Sequence, residues 1–312
     1  MSSNVELSFI IPALNEEKNI GNTIHSIHKA TGSQACEIIV CDNGSKDRTI
    51  EIAESLHATV IVDKFATIAG LRNAGVKNAT GAVLVFIDAD VQLAEDWLQN
   101  LELEIEKWPQ DRLIVTGSTC LIPSTSSFVE KNWFAKLTRT ATNYINSGHL
   151  IVSREMFEKI GGFDQTLKTA EDYDFCQRAK DSNGRLMEAQ SLKAYHYGFP
   201  TTLWAFCSRE AWHGREDFSS LRKFARSKTA ITAALNITFL SLSLITYALT
   251  FNVFATLVFL FLSIILSLTL TGLKFGMDSP GKFLKTTICC ELYLLSRAFS
   301  VFYRQTRPSQ RE

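Results

Sequence analysis

The chain has 312 residues, with 32 Lys and Arg against 32 Asp and Glu, and its formal net charge is zero. The length suits one or two domains with a sizeable core, and the balanced charge gives no footing for a nucleic-acid partner. The seven cysteines show neither CxxC pairing nor disulfide-framework spacing, which favours a reducing compartment with thiols used as small apolar side chains.

The start, Met1-Ser2-Ser3-Asn4-Val5-Glu6, lacks a basic segment followed by an apolar one, so no signal peptide is expected. Residues 7–11 are apolar and predict a strand. Asn15-Glu16-Glu17 opens a helix with Ile20, Ile24 and Ile27 on one side. Residues 37–41 predict a second strand, and Asp47 opens a helix containing Ile50, Ala53 and Leu56. A third strand over 59–62, a helix over 68–77 and a fourth strand over 83–87 follow. This alternation argues for a mainly parallel sheet covered on both faces. Further on the pattern loosens: 97–108 is expected to be helical, 113–122 a strand and 128–141 helical. Residues 199–226 suggest an amphipathic helix leading to a membrane.

The turns after the strands carry the polar residues. Pro12-Ala13-Leu14-Asn15-Glu16 follows the first strand, Asp42-Asn43-Gly44-Ser45 the second and Asp88-Ala89-Asp90 the fourth. Asp88 and Asp90 alone read equally as a helix cap with a turn or as ligands of Mg²⁺ or Mn²⁺, which favour oxygen donors and substrate phosphates. Three acidic clusters on the sheet edge where ligands bind in open α/β folds favour the metal and nucleotide reading. No GxGxxG follows the first strand, and no GxxxxGK[ST] or HExxH occurs, which disfavours dinucleotide, P-loop and zincin chemistry. His25 and His28 read as a surface pair.

From 229 to 273 no residue is charged. That is enough for two membrane crossings of roughly 20 residues each, with Asn252 at the turn. Arg222, Lys223, Arg226 and Lys228 precede the run and Lys274, Lys282 and Lys285 follow it, so both ends should face the cytoplasm. The expected organisation is a catalytic domain over 1–228, two transmembrane helices over 229–273, and an amphipathic, interfacial helix with a basic tail over 274–312. Asp278-Ser279-Pro280 marks the start of that last helix.

Six segments, in this order and spacing, resemble the inverting glycosyltransferases of family 2. They are Phe9-Ile10-Ile11-Pro12-Ala13-Leu14-Asn15-Glu16-Glu17, Val40-Cys41-Asp42-Asn43-Gly44-Ser45-Lys46-Asp47-Arg48-Thr49, Leu71-Arg72-Asn73-Ala74-Gly75, Asp88-Ala89-Asp90, Gly161-Gly162-Phe163-Asp164 and Glu171-Asp172-Tyr173-Asp174. The likeness covers roughly the first 215 residues and implies a GT-A fold, a Rossmann-like, mostly parallel mixed α/β sheet. It implies that Pro12, Ala13, Asn15 and Glu16 line the nucleotide pocket, that Asp42 accepts from the base, and that Arg72 meets phosphate or base. Asp88 would hold the donor sugar, Asp90 a Mg²⁺ or Mn²⁺ ion with His196 completing its shell, and Asp172 would be the general base. Should the acceptor be a lipid phosphate, already anionic, Asp172 would orient rather than deprotonate. Gly148, Glu171, Trp212 and Arg215 fall on the acceptor side. Trp212-His213-Gly214-Arg215 departs from the Gln/Arg-x-x-Arg-Trp signature of processive synthases, which argues against a chain-extruding enzyme.

The expected partners are therefore a nucleoside diphosphate sugar, UDP-sugar first, a lipid-linked or membrane-proximal acceptor and membrane lipids, with no nucleic acid. The setting is the cytoplasmic membrane, the catalytic domain facing the cytoplasm. The alternatives are a nucleotidyltransferase, which should carry a glycine-rich basic phosphate loop near the first strand, and an inactive scaffold of the same fold.

Overall fold

The computed structural model describes residues 6–64, 66–123, 126–137, 143–167, 170–215, 217–218 and 220–302. In chain order the elements are β1 (Leu7–Ala13), α1 (Ile20–Thr31), β2 (Cys36–Asp42), α2 (Thr49–Ser55), β3 (Thr59–Val62), α3 (Ile68–Asn78), β4 (Val83–Ile87), β5 (Val91–Leu93), α4 (Trp97–Ile105) and β6 (Ile114–Gly117). A π-helical turn (Glu130–Phe134) runs into α5 (Ala135–Leu137). Then come β7 (His149–Ser153), α6 (Arg154–Ile160), α7 (Glu171–Asp181), β8 (Arg185–Glu188), β9 (Ala194–His196), α8 (Leu203–Gly214), α9 (Leu221–Arg226), α10 (Lys228–Thr250), α11 (Val253–Phe275) and α12 (Pro280–Phe299).

Two compact units result. The first comprises Met1–Pro123 and Ala141–Gly198, the second Ser124–Thr140 and Phe199–Glu312.

In the first unit seven strands form one sheet in the order β3-β2-β1-β4-β7-β6-β8. Pairing is parallel except at β7, which runs antiparallel to β4 and β6. The strands alternate their side chains between two cores. Phe9, Ile11, Val83, Val85 and Ile87 join Ile20, Ile24, Ile27 and Trp97 on one face. Ile10, Leu84 and Phe86 join Phe157, Phe163 and Phe175 on the other. Burial on both faces explains why β1 and β4 read as continuous apolar runs. Gly75 lets α3 lie close to the sheet, since a Cβ there would stand 2.5 Å from Ile10 Cγ2 and 2.9 Å from Cys41 Sγ. All seven cysteines are free thiols.

Several expected boundaries shift. The first helix starts at Ile20 rather than Asn15, because residues 15–17 are spent on bonds to the neighbouring turn. The expected strand over 113–122 is only Ile114–Gly117, with Leu121 making an isolated bridge to Tyr195. The expected helix over 128–141 is helical over 128–137, and 138–142 lie outside the described residues. The helix expected over 199–226 is two helices, α8 and α9. Short β5 is not expected from the sequence, and β9 is only three residues long. They pair antiparallel as a separate ribbon, Val91 opposite His196 and Gln92 opposite Tyr195.

In the second unit α10 and α11 are each 23 residues and apolar enough, by length and composition, to cross a membrane. Asn252 caps α11, its Oδ1 accepting the Ala255 N–H at 3.0 Å. A polar network joins α10 and α11 to α12. Asn236 donates to Glu291 Oε1 at 2.8 Å, Ser263 donates to Asn236 at 2.7 Å, and Ser267 donates to Glu291 Oε2.

Candidate active site

Two turns at the C-terminal edge of β1 and β2 are laced together. Asn15, with φ 55°, donates its N–H to Ser45 Oγ at 2.8 Å and accepts the Lys46 N–H at 2.9 Å. Glu16 N–H donates to Thr49 Oγ1 at 2.7 Å, and Asn43 N–H donates to Ala13 O at 2.9 Å. Asp42 is fully buried. Its Oδ1 accepts the Gly44 and Ser45 N–H groups, both at 2.7 Å, and its Oδ2 accepts the Ser45 hydroxyl. Asp42, expected to meet the nucleotide base, shapes this turn through those bonds and has no face to solvent in this structure. Pro12 and Ala13 lie inside β1 and are buried, while Asn15 and Glu16 are half-exposed at the turn.

Asp88 and Asp90 leave the end of β4. The β5–β9 ribbon starts one residue later, and its register brings His196 back to them. His196 Nε2 lies 3.6 Å from Asp90 Oδ1, and Tyr197 N–H donates to Asp90 O at 2.8 Å. One ligand atom from each of Asp88, Asp90 and His196 falls within 4.8 Å of the others. Two carboxylates and an imidazole are a donor set that suits Mn²⁺ or Mg²⁺. Two glycines keep side-chain bulk out of this cradle. A Cβ at Gly198 would stand 1.7 Å from Asp90 Oδ2, and one at Gly148 2.9 Å from Asp88 Oδ2. Gly198 was not among the residues singled out from the sequence. Only its place two residues after His196 hinted at a role.

Arg72 is 1% exposed. Its terminal nitrogens donate to Asp88 Oδ1 at 2.9 Å and to Glu171 Oε1 at 2.8 Å. It was expected to meet a phosphate or the base, and here both of its terminal nitrogens are engaged by carboxylates of the site. Glu171, expected on the acceptor side, accepts one of those two bonds. The neighbouring motif residue Asn73 exchanges two hydrogen bonds with the Phe163 backbone, at 2.8 and 3.0 Å. That clips the Leu71–Gly75 and Gly161–Asp164 segments together.

Asp172, at the start of α7, is largely buried. It accepts from Asn146 Nδ2 at 3.0 Å, and Asn146 Oδ1 accepts the Gly148 N–H at 2.8 Å. Asp172 and Asp88 thus flank one braced loop. Burial pushes the Asp172 carboxyl above the ordinary range, and the negative Glu171 beside it pushes further. Below that loop His149 is wholly buried. It accepts from Trp97 Nε1 at 2.8 Å, and its Nδ1 lies 2.9 Å from Ser118 Oγ. Burial lowers its pKa to about 4.

Trp212 and Arg215, expected on the acceptor side, belong to the second unit. There the guanidinium stacks 3.6 Å from the indole centroid and donates to Trp212 O at 2.7 Å.

The mostly parallel mixed sheet with an Asp-x-Asp pair after its fourth strand is a GT-A fold. Residues 8–159, just under half of the chain, match the sequence model described as Glycosyl transferase family 2, and that stretch is a family 2 glycosyltransferase domain. The chain is 27% identical over 206 residues to the glycosyltransferase AglE of Haloferax volcanii, covering 62% of this chain and 67% of that one. It is 27% identical over 218 residues to the amylovoran biosynthesis glycosyltransferase AmsB of Erwinia amylovora, covering 62% and 70%. Among solved structures it is similar to the mannosyltransferase PcManGT of Pyrobaculum calidifontis, in complex with GDP-Man and Mn²⁺. The TM-score is 0.56 at 18% identity, over 96% of this chain and 88% of that one. GalNAc-T7 with UDP, GalNAc and Mn²⁺ gives a TM-score of 0.51 at 18% identity, over 69% of this chain and 51% of that one.

Proposed function

We propose that the chain transfers one sugar, with inversion, from a nucleoside diphosphate sugar to a lipid-linked or membrane-proximal acceptor. A UDP-sugar is the first candidate donor. The observation that carries this reading is the bracing of Asp172 and Asp88 on one loop, with Asp90 and His196 beside Asp88. A carboxylate of raised proton affinity then stands near a cradle built for a cation.

Each side chain has a task in that reading. Asp88, Asp90 and His196 hold Mg²⁺ or Mn²⁺. When bound, that ion supplies positive charge against which a diphosphate leaves. Arg72 positions Asp88 and Glu171 and does not touch the donor. Asn15 and Glu16 border the nucleotide, and Asp42 fixes the turn beneath them. Asp172 takes the proton of the acceptor hydroxyl. The acceptor oxygen forms the new bond at the anomeric carbon as the bond to the diphosphate oxygen breaks, and the configuration inverts. Where the acceptor is an anionic lipid phosphate, Asp172 instead orients it.

The hairpin α10–α11 crosses the cytoplasmic membrane, and the first unit faces the cytoplasm. Lys228 and Lys274 then lie at one surface, as the positive-inside rule asks. α12 lies across the hairpin's base: Lys274 Nζ is 4.9 Å from the Tyr293 ring, one turn or less from the Glu291 that meets Ser267. A sugar transfer at this surface suits cell-envelope assembly.

The test is an assay of the purified full chain in detergent against a panel of nucleotide sugars. It reads nucleoside diphosphate release with and without membrane lipid extract and Mn²⁺. Asp172→Asn should abolish transfer and leave nucleotide affinity nearly unchanged. Near-normal turnover of that variant on the true acceptor would remove Asp172 from the chemistry.

A further inference from the structure

The first unit holds a cleft, of about 480 Å³, lined by none of the residues assigned to the transfer reaction. It opens between α1 and the β5–β9 ribbon. Asn22 and His25 contribute from the helix, Gln92 from β5, and Tyr195 and Tyr197 from β9 and the residue after it. Strand geometry fixes which way these groups look, because successive side chains alternate faces. His196 turns toward Asp90, so the tyrosines on either side of it take the opposite face. Gln92 is registered with Tyr195, and Val91 with His196, which puts Gln92 with the tyrosines. The cleft and the cation cluster are the two sides of one short ribbon.

The chemistry of the cleft is specific in what it refuses. Its charged pair, Lys29 and Glu95, is closed on itself at 2.7 Å, so neither an anion nor a cation finds an unmatched charge. The carboxamides of Asn22 and Gln92 and the hydroxyls of Tyr195 and Tyr197 have no hydrogen-bond partner among the described residues. An apolar occupant would strand those four groups away from water. His25 Nδ1 is 2.6 Å from Gly21 O and so donates. Carboxamides and phenols around two aromatic faces match a neutral polyhydroxylated ring. Its hydroxyls bond to the amides while its C–H face covers a tyrosine. The volume falls in the range of small-ligand sites, roughly 300–1,000 Å³.

We infer that this cleft binds a neutral saccharide of one or two residues, at a site separate from the donor and the transferred sugar. Its floor is already tied down. Thr23 Oγ donates to Ala89 O at 2.7 Å and Leu93 N–H donates to Ser26 Oγ at 3.1 Å. A glycan held there would anchor a growing acceptor beside the enzyme without entering the reaction.

The test is saturation-transfer NMR on the purified full chain in detergent, with glucose, galactose, mannose and N-acetylglucosamine as probes. The donor site is filled by excess UDP and Mn²⁺, whose own thermal stabilisation of the protein reports on that site independently. At least one sugar should show transfer that persists with UDP and Mn²⁺ present and in Asp90→Asn. The apparent affinity should fall about tenfold in Tyr197→Ala and in Gln92→Ala, the loss expected for one good anchor. Both residues are at least partly exposed, so their thermal midpoints should match the parent. Absence of transfer for all four sugars, transfer abolished by UDP, or transfer unchanged in both variants would overturn the inference. If UDP stabilises the protein in those cases, the transferase reading survives alone.

Discussion

Arg72 and Asp88 meet at 2.9 Å where the guanidinium is shut off from solvent, and the same guanidinium reaches Glu171 at 2.8 Å. A buried charge of this kind is costly to leave unpaired. Arg72→Met would leave two carboxylates facing each other's field with nothing between them. We expect it to lose about 3 kcal/mol of stability, the lower end of the usual range for breaking a buried pair, since Asp88 keeps a third of its side chain exposed. Arg72→Lys keeps the charge but not the fork, so it should fall between Met and the parent. Urea unfolding of the three proteins orders them, and equal midpoints would show that Arg72 does not brace the site.

Glu171 also sets the proton affinity of Asp172. Burial and Glu171 both raise the Asp172 pKa, while Arg72 lowers it. The base must be unprotonated, so the acidic limb of kcat/KM should sit above the ordinary carboxylate range. Glu171→Gln removes a negative neighbour and leaves more of Arg72's charge uncompensated. Both changes favour the carboxylate, so the limb should move to lower pH. A pH–rate profile of Glu171→Gln checks the sign, and a limb that stays or rises would separate Glu171 from the acid-limb group.

How much of this was legible from the sequence follows from distance along the chain. β1, β3 and β4 could be read because the signal lies in four to seven consecutive residues. The Arg72 fork could not, since its partners lie 16 and 99 positions away. The segments containing both ends were recognised, but not that they cancel each other. Asp42 shows a different gap. An acidic residue at a strand end looks the same in sequence whether or not it closes a turn, and only the Gly44 and Ser45 N–H groups reveal that it does. β5 and β9, three residues each, are too short for a period-two pattern to stand out. The reason His196 reaches Asp90 therefore stayed hidden while the residue itself did not.

Gly198 should be intolerant of any side chain. A Cβ placed 1.7 Å from Asp90 Oδ2 forces either the carboxylate or the loop out of position. Gly198→Ala is expected to raise the Mn²⁺ concentration for half-maximal rate by about tenfold or more, as displaced ligand supports do elsewhere. Gly281→Ala, where the added atom meets nothing within 4 Å, is the control and should leave the titration unchanged. A Mn²⁺ titration of initial rate decides between them.

His149 gives a prediction about stability rather than rate. Trp97 donates to Nε2, so the neutral ring carries its proton on Nδ1, which faces Ser118 Oγ; Ser118 in turn donates to Leu192 O. The chain is satisfied only while the ring is neutral, which agrees with a pKa lowered from 6.5 to about 4 by burial. The unfolded chain takes up a proton near pH 6.5 that the folded chain refuses until about pH 4. Folding therefore loses free energy as pH falls through that window, on the order of 3 kcal/mol at most. The stabilisation is fully present above the window. Thermal midpoints of the parent should drop between pH 7.5 and pH 5 by more than those of His149→Asn, which has no proton to gain. His149→Asn should also be less stable at pH 7.5, because Trp97 Nε1 and Ser118 lose a shared partner in a buried site. Parallel pH dependence in the two proteins would show that His149 contributes nothing to the acid sensitivity of the fold.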